Sequence, residues 1–165
     1  MKYFYIDACA LVKRYHKEKG TDQVDVLFDT SIGRKPKCLI TSIISIPETI
    51  ATLNRKKNEG KIRYSQLKEI LANLINEVDM LDTITVDEER ILGSIPLITK
   101  YNLNSVDALH LSAIKEAGEI AKYVEGTVII VTSDKRLLKV SENEGFETLN
   151  PEEVDLITIK GLLEV

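Results

Sequence analysis

Thr127-Val128-Ile129-Ile130-Val131-Thr132 is the stretch on which the fold turns. Its centre, Val128 to Val131, is apolar at every position. A strand with one wet face would alternate, so a continuous run of this length predicts a strand in a sheet covered on both sides. Outward from it, Lys2–Ile6 reads as a strand ending at Asp7, Lys37–Thr41 as a second, Asp82–Val86 as a third and Phe146–Leu149 as an edge strand closed by Asn150-Pro151. Helical patterns separate them. Ala8–His16 carries Leu11, Val12 and Tyr15 on one side, and Thr21 caps a helix to about Thr30. Ser42 caps a helix with Ile43, Ile46, Ile50 and Leu53 on one face and Pro47 inside it. Further helices are predicted over Tyr64–Val78 and Glu88–Lys100, from an Asn104-Ser105 cap through Glu116, and over Asp134–Glu144 with Gly145 as the stop.

Strands separated by helices imply right-handed crossovers and an α/β fold in three layers. The expectation is a mostly parallel central sheet of four to five strands with helices on both faces. Residues 1–150 read as one domain, with 151–165 a tail packed on it or extending it. The length of 165 residues suits that size, and the 44% apolar and 29% charged fractions are those of a folded chain. With 22 basic against 26 acidic residues the net charge is −4, which excludes a general polybasic nucleic-acid binder but leaves room for a local basic rim. No apolar run approaches the roughly 20 residues of a membrane-spanning helix. The N-terminus meets Asp7 too soon for a signal peptide, and Cys9 and Cys38 form neither a metal spacing nor a disulfide framework. A cytoplasmic protein is expected.

Parallel sheets place their sites beyond the carboxyl ends of the strands. Asp7 follows the first strand, Glu48 lies on the helix after the second, Asp107 in the first turn of the helix at Ser105, and Asp134 after the fourth strand. Singly, Asp107 reads as a helix-dipole partner, Asp134 as an N-cap and Glu48 as a solvated face residue. Asp7 lies between apolar stretches, where a carboxylate without a partner is costly. Converging carboxylates raise one another's pKa unless a cation holds them, and oxygen-only ligands suit Mg2+ or Mn2+ rather than zinc. Such sites perform phosphoryl chemistry. Ile6-Asp7-Ala8 lacks the acidic pair of a response-regulator receiver, and Asp7-Ala8-Cys9-Ala10-Leu11 lacks the Asp-x-Asp-x-Thr of haloacid-dehalogenase-type phosphatases. A Gly-rich phosphate loop and a Gly-x-Ser-x-Gly elbow are both missing from the sequence.

Four segments in this order carry a resemblance: Tyr5-Ile6-Asp7-Ala8-Cys9-Ala10-Leu11-Val12-Lys13, Ser45-Ile46-Pro47-Glu48-Thr49-Ile50, Asn104-Ser105-Val106-Asp107-Ala108-Leu109-His110-Leu111-Ser112-Ala113 and Val131-Thr132-Ser133-Asp134-Lys135-Arg136-Leu137. Together they resemble the PIN-domain ribonucleases, close to the VapC-type toxins of toxin–antitoxin pairs. The resemblance implies a PIN-like sheet whose carboxyl edge gathers Asp7, Glu48, Asp107 and Asp134 around Mg2+ or Mn2+ for hydrolysis of RNA. It implies RNA as substrate, a small antitoxin protein as partner and room for a homodimer. The sequence departs from the family pattern at Cys9, where Ser or Thr is frequent, and carries Pro47 beside Glu48.

Around that site, Thr52 and Arg55 fall on the helix face of Glu48, which directs Arg55 at a phosphate or at its own helix end. Lys13, Arg14 and Lys17 after Asp7, and Lys135, Arg136 and Lys139 after Asp134, form either a basic rim for an RNA backbone or solvated helix faces. His110 reads as a packed or polar helix residue rather than a general base. The alternatives to a ribonuclease are a non-catalytic PIN-like RNA-binding or assembly subunit and a metal-dependent phosphatase of small substrates.

Overall fold

The computed structural model describes residues 1–163. Five parallel strands form one sheet: β1 (Lys2–Ile6), β2 (Leu39–Ser42), β3 (Asp82–Ile84), β4 (Thr127–Val131) and β5 (Glu147–Leu149), in the order β3-β2-β1-β4-β5. Among the described residues the helices are α1 (Ala8–Tyr15), α2 (Thr21–Ser31), α3 (Ser45–Asn58), α4 (Tyr64–Val78), α5 (Glu88–Tyr101), α6 (Ser105–Tyr123), α7 (Lys135–Asn143) and α8 (Leu156–Leu163). The α/β architecture is the expected one, with all five strands parallel.

The pleat of the central strands divides the core. Tyr5, Ile40, Val128 and Ile130 point to one face, where they meet Leu111, Ile114 and Ala117 of α6 and Leu137 and Val140 of α7. Phe4, Ile6, Leu39, Ile129 and Val131 point to the other, against Leu11 of α1, Val24, Leu27 and Phe28 of α2, and Ile159 and Leu163 of α8. This two-sided burial is why β4 is apolar from Val128 to Val131. A third cluster, Val12, Leu53, Ile62 and Leu67, fastens α3 and α4 to the flank of α1. The chain leaves β1 in one direction for β2 and β3, then crosses back to place β4 on β1's other side. With right-handed crossovers, that reversal sends α1 and α2 to one face and α5 to α7 to the other.

Local expectations are corrected at several points. Thr21 is the first helical residue, and Gly20, in the left-handed conformation (φ 89°), precedes it as N-cap. The Thr21 hydroxyl instead donates to Lys13 O and accepts from Glu18 N, both at 3.0 Å. Ser42 ends β2, and α3 starts at Ser45 without a side-chain cap. Pro47 therefore lies in the first turn, where the missing N–H has no intrahelical partner to lose, and it makes no kink. The buried face of α3 is Ser45, Thr49 and Leu53, while Ile43 precedes the helix and is exposed. β3 stops at Ile84, short of Val86. α6 continues past Glu116 to Tyr123 because Ala117, Gly118 and Ala121 extend its buried stripe.

Gly126 joins α6 to β4 in a space with no room for a side chain. A Cβ there would stand 2.6 Å from Tyr3 Cε2 and 2.8 Å from the carbonyl oxygen of Met1. The latter is backbone, and it accepts the Thr127 N–H that starts the β1–β4 ladder. Gly126→Ala is therefore expected to lower stability by about 1–3 kcal/mol, read as a lower urea midpoint with an unchanged slope.

Candidate active site

The reversal of strand order falls between β1 and β4, the position where open α/β sheets form a crevice. Asp7 ends β1 there and is buried, with 3% of its surface accessible. Its Oδ1 accepts the Ala10 N–H at 2.9 Å, capping α1, and its Oδ2 accepts the Thr132 hydroxyl at 2.6 Å from the end of β4. Burial raises the Asp7 carboxyl above its ordinary range, and Thr132, Ala10, His110 and Cys9 draw it partly back. Thr132, which the sequence quoted only as a neighbour of Asp134, thus supplies the hydroxyl that Cys9 lacks. The Cys9 thiol is pushed up by burial and then by Asp7 and Asp134.

Asp134 caps α7, its Oδ1 accepting from Arg136 N at 2.8 Å and Leu137 N at 3.0 Å. Asp107, in the first turn of α6, accepts on Oδ2 from the Asn104 side-chain amide at 2.8 Å. Its carboxyl is raised by burial first and then by Asp134, with Glu48 adding to the rise and Arg136 and His110 opposing it. Asp107 thus feels Asp134 and Glu48, while Cys9 feels Asp7 and Asp134. Glu48 reaches it from α3, with Oε2 2.6 Å from His110 Nε2. His110 is a buried polar helix residue, and its Nδ1 lies 3.1 Å from the Tyr5 hydroxyl. In the sequence Tyr5 is only a residue of the first strand, because only the fold brings three distant positions into line.

The basic residues divide into two groups. Lys13 is buried, and its Nζ is held by Glu152 at 2.6 Å and Glu18 at 2.9 Å. Arg14 is tied to Asp29 at 2.8 Å, Glu77 at 2.9 Å and Asp25 at 3.0 Å. Neither stands on a rim, because intramolecular carboxylates already occupy their charges. Lys135 and Arg136 are exposed beside Asp134, and Arg136 Nη1 lies 4.0 Å from Asp107 Oδ2. Arg55 is exposed and bonds Thr52 Oγ1 at 2.7 Å. A cleft of about 370 Å³ opens beside Glu48, lined also by Cys9, Thr52, Ser133 and Lys56. Lys56, not Arg55, is the basic residue of α3 on that wall, and it is paired with Glu18 at 2.8 Å.

Among the described residues no three Asp, Glu, His or Cys side chains close into a metal cage. The donor set nonetheless fits a hydrated hard cation: all four acids offer oxygen, and Mg2+ keeps several of its waters while taking one or two carboxylates. A caged ion such as structural zinc is not what this arrangement fits.

The PIN domain family model matches residues 4–143. The chain belongs to the PIN domain family. As a PIN domain it shares its fold with the crystal structure of PAE2754 from Pyrobaculum aerophilum, at TM-score 0.58 and 16% identity, covering 99% of this chain and 98% of that one. A toxin–antitoxin complex from Klebsiella pneumoniae matches at TM-score 0.55 and 15% identity, over 91% of this chain and 98% of that one. The FitAB structure bound to an IR36 DNA fragment matches at TM-score 0.58 and 11% identity, over 92% and 97%. No curated protein matches the chain. No helix among the described residues is long and apolar enough to cross a membrane.

Two outcomes follow from the charges of this PIN domain. Lys13→Met leaves Glu152 without its salt-bridge partner and Glu18 with Lys56 alone, at an expected cost of about 2–3 kcal/mol by urea unfolding, the carboxylates' exposure keeping it below a fully buried pair. For Asp7 the sign is set by its raised carboxyl: the folded state holds this proton more tightly than the unfolded chain. Its contribution to stability therefore falls as pH rises from the ordinary carboxylate range through the raised value. Asp7→Asn keeps an oxygen for the Ala10 N–H and removes that titration. In EDTA the melting temperature of Asp7→Asn minus that of the wild type should grow between about pH 4 and pH 7. A difference independent of pH would contradict the burial of an uncompensated charge.

Proposed function

We propose that this PIN domain is a Mg2+- or Mn2+-dependent endoribonuclease, with Asp7, Glu48, Asp107 and Asp134 as the metal-holding acids, and that it serves as the toxin of a toxin–antitoxin pair. The observation that carries the proposal is Asp7: a carboxylate buried at the strand-order reversal, raised by desolvation, with no cationic side chain paired to it among the described residues. Burying such a charge is costly unless something compensates it. Asp107 adds a second carboxyl raised by burial and by Asp134. A divalent cation bound there supplies Lewis-acid polarisation of a phosphodiester and a water nucleophile at neutral pH.

The protein's own part is placement. Thr132 and the Ala10 N–H fix both oxygens of Asp7, and Asn104 fixes one oxygen of Asp107. Lys135 and Arg136, exposed at the start of α7, are the proposed contacts for the RNA backbone, with Arg55 as a further candidate. The antitoxin assignment draws its support from the fold likeness to a toxin–antitoxin complex and to the FitAB structure. A second copy of the chain is a further proposed partner, and the cytoplasm the proposed compartment.

Purified protein should cleave single-stranded RNA in millimolar Mn2+ or Mg2+ and lose that activity in EDTA. Asp7→Asn should lower kcat/KM on the order of 100-fold or more while remaining folded by circular dichroism. Cleavage undiminished in EDTA would refute the metal mechanism. Metal-independent RNA binding without cleavage would turn the assignment to a binding subunit, and activity on phosphomonoesters alone would turn it to a phosphatase.

A further inference from the structure

His110 is a buried polar side chain with both ring nitrogens engaged. A carboxylate in its ionised form only accepts hydrogen bonds, so at 2.6 Å from Glu48 Oε2 it is His110 Nε2 that carries the proton. In the neutral ring Nδ1 is then the acceptor for the Tyr5 O–H at 3.1 Å. Tyr5 is completely buried, and its ring stands edge-on to the imidazole at 6.5 Å and 87°. Beside its phenol lie the buried hydroxyls of Ser42 and Ser45. The chain Tyr5–His110–Glu48 therefore runs from the interior of the sheet to a half-exposed carboxylate.

Its placement goes beyond packing. Tyr5 lies on β1, two residues before the Asp7 that follows the strand, and His110 stands one helical turn after Asp107 on the same helix. Glu48 comes from a third element, α3, which has no side-chain cap at its start and packs through α1 rather than directly onto the middle of the sheet. Glutamate is long and flexible, and the Glu48 side chain has no hydrogen-bond partner among the described residues other than His110. One imidazole thus registers Glu48 against the two elements that carry Asp7 and Asp107.

We propose that His110 and Tyr5 are positioning residues of the acidic site: Tyr5 fixes the orientation and tautomer of the His110 ring, and His110 fixes Glu48 by one oxygen, leaving Oε1 to face the cation and substrate. This rests on the metal-dependent reading above for its catalytic consequence, though not for its geometry. A neighbour that orients a ligating group in this way typically changes metal affinity or activity by 10–100-fold when removed.

The test compares His110→Leu, His110→Gln and Tyr5→Phe with the wild type in two measurements: Mn2+ affinity by calorimetry, and the Glu48 side-chain orientation in metal-free crystals. His110→Leu fills space but donates nothing, and should weaken Mn2+ binding about 10–100-fold with Glu48 turned from its wild-type rotamer. His110→Gln can still donate an amide N–H to Glu48 and should recover most of that affinity. Tyr5→Phe keeps the ring packing and should give a smaller loss of the same kind, about 3–10-fold, so it decides the matter if His110→Leu fails to fold. Folded variants with wild-type Mn2+ affinity and an unmoved Glu48 would overturn the inference. If wild-type protein binds no Mn2+, the metal-dependent reading falls, and the crystals alone judge the inference: Glu48 displaced in His110→Leu and in Tyr5→Phe supports it, and Glu48 unmoved overturns it.

Discussion

The Asp7 carboxylate is held inside the protein by one backbone N–H and one hydroxyl, and much of the molecule is arranged around that fact. Ala10 N–H starts α1 on one oxygen, and Thr132 joins the ends of β1 and β4 on the other. The Asp7 N–H donates to Val131 O at 3.3 Å, which continues the β1–β4 ladder to its last rung. The same residue is thus strand end, helix cap and buried charge. Two neutral donors moderate the desolvation without cancelling it, since the carboxyl remains raised. A site that leaves its central charge incompletely balanced is less stable alone than with a cation, and that incompleteness is what makes it a binding site.

Lys13 shows that the fold does not withhold compensation everywhere. It lies six residues after Asp7 on the opposite end of α1's first two turns, equally withdrawn from water, and receives two carboxylates. Glu18 belongs to the turn before α2, and Glu152 to the segment after β5. Glu18 passes the link on to Lys56 of α3, so a chain of alternating charges, Glu152–Lys13–Glu18–Lys56, lines the cleft beside Glu48. Here the charges cancel locally and brace three separated segments. At the acids they do not. The contrast between a balanced wall and an unbalanced centre gives the cleft its polarity.

The strands were legible because their signals are local. Apolar continuity marks β4, and the acids one step past β1 and β4 follow from where parallel sheets put their sites. Helix starts were harder: Ser42 and Thr21 have capping chemistry, but the sheet claims Ser42 and the Lys13 and Glu18 backbone claims Thr21. In both cases a tertiary partner outweighed a local one. The length of α6 was hidden because Ala117, Gly118 and Ala121 are small, and a stripe of small residues leaves little hydrophobic periodicity to read. Lys13 and Arg14 looked like rim residues because sequence shows charge without showing its partner, here up to 139 positions away. Thr132 and Tyr5 were invisible as site residues for the same reason, each acting on a residue more than 100 positions distant.

The order of strands explains why those distant residues meet. β1 is the hinge of the topology: the chain departs from it on one side and returns on the other, so its carboxyl end is the one place where loops do not cross overhead. Anything that ends β1 or β4 must face the crevice, which accounts for Asp7, Thr132 and Asp134. α6 enters from the preceding crossover and presents Asp107 and His110 from the same turn. α3 alone arrives without being anchored to the sheet centre, its contacts running mainly through Val12 and Leu53. A site assembled from rigid strand ends and one laterally docked helix needs an extra tether for that helix, and the one hydrogen bond the Glu48 side chain accepts among the described residues comes from an α6 imidazole that Tyr5 of β1 holds in turn. The physical demand of the topology and the observed hydrogen bond coincide at His110.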